Sequence, residues 1–204
     1  MIKNIVFDIG MVLADFRYEE YMRKDLNFPE TVVQIFADRL VRNSIWDELD
    51  LGVRDTEDIV NEMKPRVSEY PQEAELFFDR IADIIKTYPY SRPWIAELKS
   101  RGYKVYLLSN YPRDTYTIHE KKHFDFAELA DGKVISGFER LSKPDPAIYR
   151  LLFKRYSLDP QECVFLDDRQ VNIDAAMAEG MKAILFTSYE DARKKLETII
   201  KTSA

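Results

Sequence analysis

The sequence predicts an α/β protein built on a central parallel sheet, and three observations lead to this prediction. Short apolar runs alternate with helical patterns along most of the chain. Two of these runs end abruptly in a carboxylate. One long segment near the N-terminus carries helical patterns only. Together they predict a Rossmann-like three-layer core with a small inserted helical cap, for which 204 residues suffice.

Five short apolar runs are predicted to be the strands of this sheet. They are Ile2–Phe7, Val105–Leu108, Val134–Ile135, Val164–Leu166 and Ala183–Phe186. Helical patterns lie between them, and strands that alternate with helices favour parallel pairing through right-handed crossovers. The pair Val134–Ile135 is the weakest of the five signals because it is so short.

Residues with strong positional preferences predict where three helices begin and end. The predicted helices are Pro93–Arg101, Pro146–Tyr156 and Asn172–Glu179. Asp145 is the expected N-cap of the second, because its side chain can accept a hydrogen bond from the first turn. Gly102 and Gly180 are expected to end the first and third, because glycine readily takes the left-handed conformation found there.

The segment 16–88 interrupts the alternation of strands and helices. It shows no clear strand, and its apolar residues recur at helical intervals, for example at Val32, Val33, Phe36 and Leu40. We therefore expect residues 1–15 and 89–204 to form the core and residues 16–88 to form a helical cap over one edge of the sheet.

Composition excludes several classes of protein. A net charge of −6 argues against a nucleic-acid or anionic-membrane partner. The single Cys163 cannot form an intramolecular disulfide and is expected to be a small buried apolar residue. No signal segment or membrane-length apolar stretch is visible, so a cytoplasmic location is expected. The sequence carries no signal for an oligomeric state.

Carboxylates follow two of the predicted strands at the point where each strand ends. Asp8 follows the first strand, and Asp167 and Asp168 follow the run Val164–Leu166. The carboxyl ends of parallel strands meet at one edge of the sheet, which is where ligands bind in such folds. Three acids gathered there repel one another, so a cation is implied.

Four segments in order along the chain carry a family resemblance. They are Phe7-Asp8-Ile9-Gly10-Met11-Val12-Leu13, Leu107-Leu108-Ser109-Asn110, Lys143-Pro144-Asp145-Pro146-Ala147-Ile148-Tyr149 and Phe165-Leu166-Asp167-Asp168 with Asn172 beyond. In this order they resemble the nucleophile, serine or threonine, lysine and acidic motifs of the haloacid dehalogenase superfamily. The segment Trp46–Gly52 resembles the cap of the subgroup of α-D-glucose-1-phosphate phosphatases and epoxide hydrolase N-terminal domains.

The resemblance implies a magnesium-dependent phosphatase that acts on a small phosphorylated metabolite, with a sugar phosphate as one candidate. Asp8 would be the nucleophile that forms an aspartyl-phosphate, and Lys143 would bridge Asp8 and the phosphate. Ser109 and the backbone amide of Asn110 would hold the phosphoryl oxygens.

The same resemblance implies a ligand set and its supporting residues. Mg²⁺ would be held by the carboxylates of Asp8 and Asp168 and the backbone carbonyl of Gly10, because Mg²⁺ prefers oxygen ligands. Asp167 is expected to orient Lys143 or a metal-bound water. Asn172 is expected to orient Asp168.

Gly10 departs from the pattern of most phosphatases in the superfamily, which carry a second Asp there as general acid and base. Asp15 is a weak candidate for that role. Two alternatives follow from the departure: a metal-independent 2-haloacid dehalogenase-like hydrolase, and a catalytically silent module that binds a phosphorylated metabolite. The acidic pair Asp167-Asp168 argues against the first because it indicates a metal.

The segment His119-Glu120-Lys121-Lys122-His123 matches the H-E-x-x-H zinc pattern. These are the only two histidines of the chain, and no third ligand is indicated. The two central lysines favour a solvated helix. We therefore reject a zinc site at this segment.

Overall fold

The computed structural model describes residues 1–42, 44–54 and 56–202, and its centre is a five-stranded parallel sheet. The strands are β1 (Asn4–Phe7), β2 (Ala14–Phe16), β3 (Ile85–Thr87), β4 (Lys104–Ser109), β5 (Gly132–Ile135), β6 (Cys163–Asp167) and β7 (Lys182–Leu185). The sheet has the order β5-β4-β1-β6-β7, and every pairing in it is parallel. All five predicted core strands are therefore present.

Helices surround this sheet and fill the segment between β2 and β3. They are α1 (Tyr18–Glu20), α2 (Glu30–Phe36), α3 (Ser44–Leu51), α4 (Thr56–Met63), α5 (Pro71–Asp79), α6 (Ser91–Ser100), α7 (Arg113–Lys122), α8 (Ser136–Glu139), α9 (Pro146–Tyr156), α10 (Gln170–Ala178) and α11 (Tyr189–Thr202). Shorter 3-10 and π turns lie at 21–25, 37–41, 64–67, 81–84, 127–129 and 160–162. No helix in the described part of the chain combines the length and apolarity that a membrane span requires.

The central strand β1 is buried on both faces, which produces the three-layer core. Successive side chains of a strand point to opposite faces. Phe7 therefore packs edge-on against Trp94 of α6, with ring centroids 4.9 Å apart, whereas Val6 joins the other layer with Phe165 and with Ile148 of α9. The predicted Rossmann-like α/β fold is confirmed.

Helix ends follow the predicted local chemistry. Helix α9 has the predicted bounds, and the Asp145 carboxylate accepts a hydrogen bond from the Ala147 amide at 2.8 Å. Gly102 and Gly180 both have φ of +90°, a conformation that favours glycine. Helix α6 begins two residues before its predicted start at Pro93, because the amides of a first helical turn need no helical partner.

The segment between β2 and β3 carries α1 to α5. The two strands pair antiparallel, with Ala14 opposite Thr87 and Phe16 opposite Ile85. Strand β3 lies inside the segment expected to contain no strand, because three residues are too few to show a period-two pattern. We propose that residues 16–88 act as a cap on the core formed by 1–15 and 89–204. Their apolar side chains belong to the same buried cluster as one layer of the core.

Candidate active site

Asp8 lies directly after β1, at the carboxyl edge of the sheet. Its backbone amide donates to the Leu166 carbonyl of β6 at 2.9 Å, so the strand pairing continues up to the site. Its carboxylate Oδ1 accepts a hydrogen bond from the next amide, that of Ile9, at 2.7 Å. The residue is only 7% exposed. The end of β1 therefore presents a buried, oriented carboxylate.

Lys143 lies between two of the acids. Its Nζ is 2.9 Å from Asp8 Oδ1 and 2.6 Å from Asp167 Oδ2. Its side chain is 1% exposed, and a buried ammonium of this kind persists only when it is paired. The ring of Phe165 lies 5.4 Å from the Nζ. Lys143 is thus held beside Asp8, the residue that the sequence predicts to be the nucleophile.

Asp167 is surrounded by groups that orient it. Asn172 Nδ2 donates to both of its carboxylate oxygens, at 2.9 and 3.1 Å, and the Arg169 amide donates to Oδ1 at 2.8 Å. The expectation that Asn172 orients Asp168 is therefore wrong. Asn172 lies on the first turns of α10, and its side chain faces the end of β6 rather than the following residue. Asp167 in turn holds Lys143.

Ser109 and Asn110 end β4 beside these groups. The Ser109 side chain is buried, and its hydroxyl acts on Asp8 by lowering the pKa of that carboxyl. The Asn110 side chain exchanges two hydrogen bonds with the backbone of Lys143, donating to its carbonyl at 2.9 Å and accepting from its amide at 2.8 Å. This clamp fixes the loop that carries Lys143, a role that the sequence analysis missed. The contacts of Ser109 and Asn110 with phosphate remain predictions.

Burial and mutual repulsion govern the electrostatics of the acids. Burial raises the pKa of Asp8 to about 7, opposed by Lys143 and reinforced by Asp167. Burial and the charge of Asp167 also raise the pKa of Asp168. Burial alone would lower the pKa of Lys143, but the charges of Asp8 and Asp167 raise it. Additional positive charge at this edge would favour the ionised carboxylates.

The donor set fits a divalent cation. Carboxylate oxygens of Asp8, Asp167 and Asp168 lie within 4.8 Å of one another. They are hard oxygen donors of the kind that Mg²⁺ prefers, and Lys143 offsets only one of their three charges. Gly10, whose carbonyl is the third predicted ligand, lines the same cavity as Asp8 and Asp168. Over residues 1–42, 44–54 and 56–202, no other cluster of three such side chains was found.

His119 has a structural role. Its Nε2 donates to the Ala82 carbonyl at 2.8 Å, so its Nδ1 must accept from the Tyr111 hydroxyl at 2.5 Å. Burial lowers its pKa to about 4, and the ring is therefore neutral at pH 7. Both ring nitrogens are occupied, which agrees with the rejection of a zinc site. His119 instead joins α7 to the turn at 81–84.

A cavity of about 340 Å³ lies between the acids and the segment 16–88. Asp8, Lys143 and Asp168 lie on its core side. Of the segment Trp46–Gly52, Leu49 and Asp50 line it, whereas the side chains of Trp46 and Asp47 fall outside the described part of the structure. The apolar residues that cover the cavity were not identified from the sequence, because their helical spacing is equally typical of core packing.

The class of protein follows from the sheet order and the acid and lysine cluster at its carboxyl edge. A family model described as a haloacid dehalogenase-like hydrolase matches residues 2–180. The match includes β1 and the cluster around Asp8. The chain therefore belongs to the haloacid dehalogenase-like hydrolases, as its motifs predict.

Particular relatives are distant but extend over nearly the whole chain. The sesquiterpene phosphatase astK of Aspergillus oryzae is 23% identical over 185 residues, which are 91% of this chain and 90% of that protein. The D-ribitol-5-phosphate phosphatase of Bacteroides thetaiotaomicron is 24% identical over 216 residues, covering 99% and 100%.

Solved structures share the fold. A HAD family enzyme from Bacteroides thetaiotaomicron, in complex with magnesium and inorganic phosphate, superposes with a TM-score of 0.73. It is 19% identical, and the superposition covers 93% of this chain and 98% of that one. At this level of identity the likeness establishes the common fold.

Proposed function

We propose that the protein is a magnesium-dependent phosphatase that hydrolyses a small phosphorylated metabolite through an aspartyl-phosphate on Asp8. The observation that carries the proposal is the buried pairing of Asp8 with Lys143 and Asp167, next to Asp168, at one edge of the sheet. Two relatives named as phosphatases support the same reaction class.

Asp8 is the nucleophile in this proposal. One carboxylate oxygen attacks phosphorus, the P–O bond to the leaving group breaks as the departing oxygen takes a proton from water, and an aspartyl-phosphate forms. Water then attacks the same phosphorus, which releases phosphate and restores the carboxylate. The Ile9 amide and the Lys143 ammonium contact the carboxylate of Asp8, so its orientation is set before substrate arrives.

The negative charge of the site means that a phosphate needs additional positive charge in order to bind. A phosphate dianion that approaches three carboxylates is repelled, and Lys143 offsets part of that repulsion. Asp8, Asp168 and the carbonyl of Gly10 would hold Mg²⁺, which supplies positive charge to the phosphoryl oxygens when bound. Asp167 contacts Lys143 directly, so we assign it to positioning that ammonium rather than to the metal.

The test is phosphate release from a panel of phosphorylated metabolites, with Mg²⁺ or with EDTA. Wild type should release phosphate only with Mg²⁺, and Asp8→Asn should lose at least about 10³-fold of the activity because it removes the nucleophile. Asp174→Asn on the exposed face of α10 is a matched control and should retain activity. EDTA-insensitive release, or release that survives in Asp8→Asn, would contradict the proposal.

Gly10 favours one second candidate, a metal-independent hydrolase of the 2-haloacid dehalogenase type, which also lacks the second Asp. Its signature is halide release from 2-haloacids in the presence of EDTA. The silent-binder alternative predicts metabolite binding without turnover in the same assays. The acidic cluster favours the phosphatase over both, because neither alternative requires three adjacent carboxylates.

A further inference from the structure

The segment 16–88 covers the catalytic cavity mainly with hydrocarbon. Among its described residues, seven that line the cavity are apolar and two, Asp50 and Thr56, are polar. The apolar residues are Phe16, Leu49, Val60, Phe78, Ile81, Ile84 and Ile85. Met11 and Pro112 of the core add further apolar surface. The part of the substrate that points away from the phosphate therefore faces an apolar wall.

Polar groups at this end of the cavity are engaged with the protein. The Thr56 hydroxyl donates to the Asp114 carboxylate at 2.6 Å. The Tyr111 hydroxyl donates to His119, whose other nitrogen is bound to Ala82. A substrate hydroxyl that lies against the apolar side chains of 16–88 would lose water without an equivalent partner there, which costs free energy.

The charge of the cap residues that line the cavity also disfavours a highly polar substrate. Asp50 is the one charged residue among the described cap residues that line the cavity. Asp50 and Tyr111 line the same cavity, and the negative charge of Asp50 adds to burial in raising the pKa of the Tyr111 phenol. A second anionic group placed against Asp50 would be repelled, whereas the cation Arg169 lines the cavity on the core side, next to Asp168.

We infer that the organic part of the substrate is an apolar hydrocarbon group rather than a polyol or sugar, an inference that rests on the proposed phosphatase function. At about 30 Å³ per water-sized group, the 340 Å³ cavity holds roughly eleven such groups, or a phosphoryl group with a chain or ring of roughly six carbon atoms. In place of the sugar phosphate, which is one candidate from the sequence, the inferred substrate is a monophosphate ester of a small hydrophobic alcohol.

The experiment compares two esters that differ chiefly in the hydroxyl groups of the alcohol. n-Hexyl phosphate and sorbitol 6-phosphate have the same chain length and the same primary phosphoester, so their leaving-group chemistry is similar. With Mg²⁺, kcat/KM for hexyl phosphate should exceed that for sorbitol 6-phosphate by at least about 100-fold.

Substitutions in the wall test its direct role. Val60→Thr replaces one methyl group by a hydroxyl and should lower kcat/KM for hexyl phosphate by about tenfold, with little effect on sorbitol 6-phosphate. Val53→Thr makes the same change at a residue that is 47% exposed and does not line the cavity, and it should change neither value.

Three outcomes distinguish a failure of the apolar-substrate inference from a failure of the proposed phosphatase function. Preference for hexyl phosphate that Val60→Thr weakens and Val53→Thr does not would support the inference. Equal or faster hydrolysis of sorbitol 6-phosphate, lost in Asp8→Asn, would overturn the inference and leave the phosphatase function standing. Absence of Asp8-dependent hydrolysis of hexyl phosphate, sorbitol 6-phosphate and every ester of the metabolite panel would refute the proposed function, and the inference with it.

Discussion

Gly10 is the residue at which this chain differs from the phosphatase pattern, and its surroundings are open. A Cβ built on Gly10 would meet no atom within 4 Å, and the residue does not require the left-handed conformation. The missing acid is therefore not enforced by lack of space. The alkoxide of a simple hydrocarbon alcohol is a poor leaving group, so in hydrolysis of the inferred substrate its proton would come from water.

Gly10→Asp should therefore fold and should raise kcat/KM on phosphate esters of poorly acidic alcohols. General acid catalysis typically contributes about 10²–10⁴-fold, so a gain of about tenfold is expected even from an imperfectly placed carboxyl. The measurement is the dependence of log kcat/KM on leaving-group pKa, which should become shallower than in wild type. Gly10→Asn has the same size without the acid and is the control. Equal slopes of log kcat/KM against leaving-group pKa in all three proteins would contradict this prediction.

Site residues that belong to a local sequence pattern can be predicted, whereas contacts between residues distant in the chain cannot. Asp8 and Asp168 were identifiable because a buried strand that ends in a carboxylate is a local pattern. Asn110 was assigned to phosphate, and its side-chain clamp on Lys143 was not foreseen, because the two residues are 33 positions apart. The Asn172 contact with Asp167 likewise depends on the angle at which α10 leaves the sheet.

At the scale of elements, His119 links α7 of the core to the turn at 81–84 of the cap. A folded-state pKa of about 4, against an ordinary value of 6.5, means that the unfolded chain binds more protons between these values. The stability that the neutral ring contributes is thus complete above pH 6.5. It is lost as the pH falls toward 4.

The pH dependence of unfolding tests this link. The free energy of unfolding of wild type, minus that of His119→Gln, should fall by on the order of 2 kcal/mol between pH 7 and pH 4. Urea titrations at each pH provide the measurement. A difference between wild type and His119→Gln that is constant with pH would refute the assignment.

At the scale of the whole molecule, cap and core share one apolar cluster. Phe77 of α5 is fully buried at the centre of the cap and packs against the rings of Tyr21, Phe36 and Phe78. The same cluster extends to Phe7 and Trp94 beneath the sheet. Cap and core should therefore unfold together rather than as separate units.

Phe77→Ala should lower the free energy of unfolding by about 3–5 kcal/mol, because it removes a large ring from a closed cluster. Denaturant unfolding followed by circular dichroism and by fluorescence should still give one coincident transition, shifted to lower denaturant. Phe138→Ala, at a residue that is 50% exposed, should cost far less. Two separate transitions in the Phe77→Ala protein would show that the cap unfolds independently.

The sequence by itself determined the α/β core, the strands that carry the acids, and the family to which the chain belongs. These features are local: apolar runs of fixed period, turn residues, and short motifs in a set order. Only the tertiary structure decided which groups orient Lys143 and Asp167. It also decided that apolar side chains of the segment 16–88 line the cavity beside the acids. Such contacts depend on how distant elements pack, and helical spacing alone does not distinguish a residue that lines a cavity from one that fills a core.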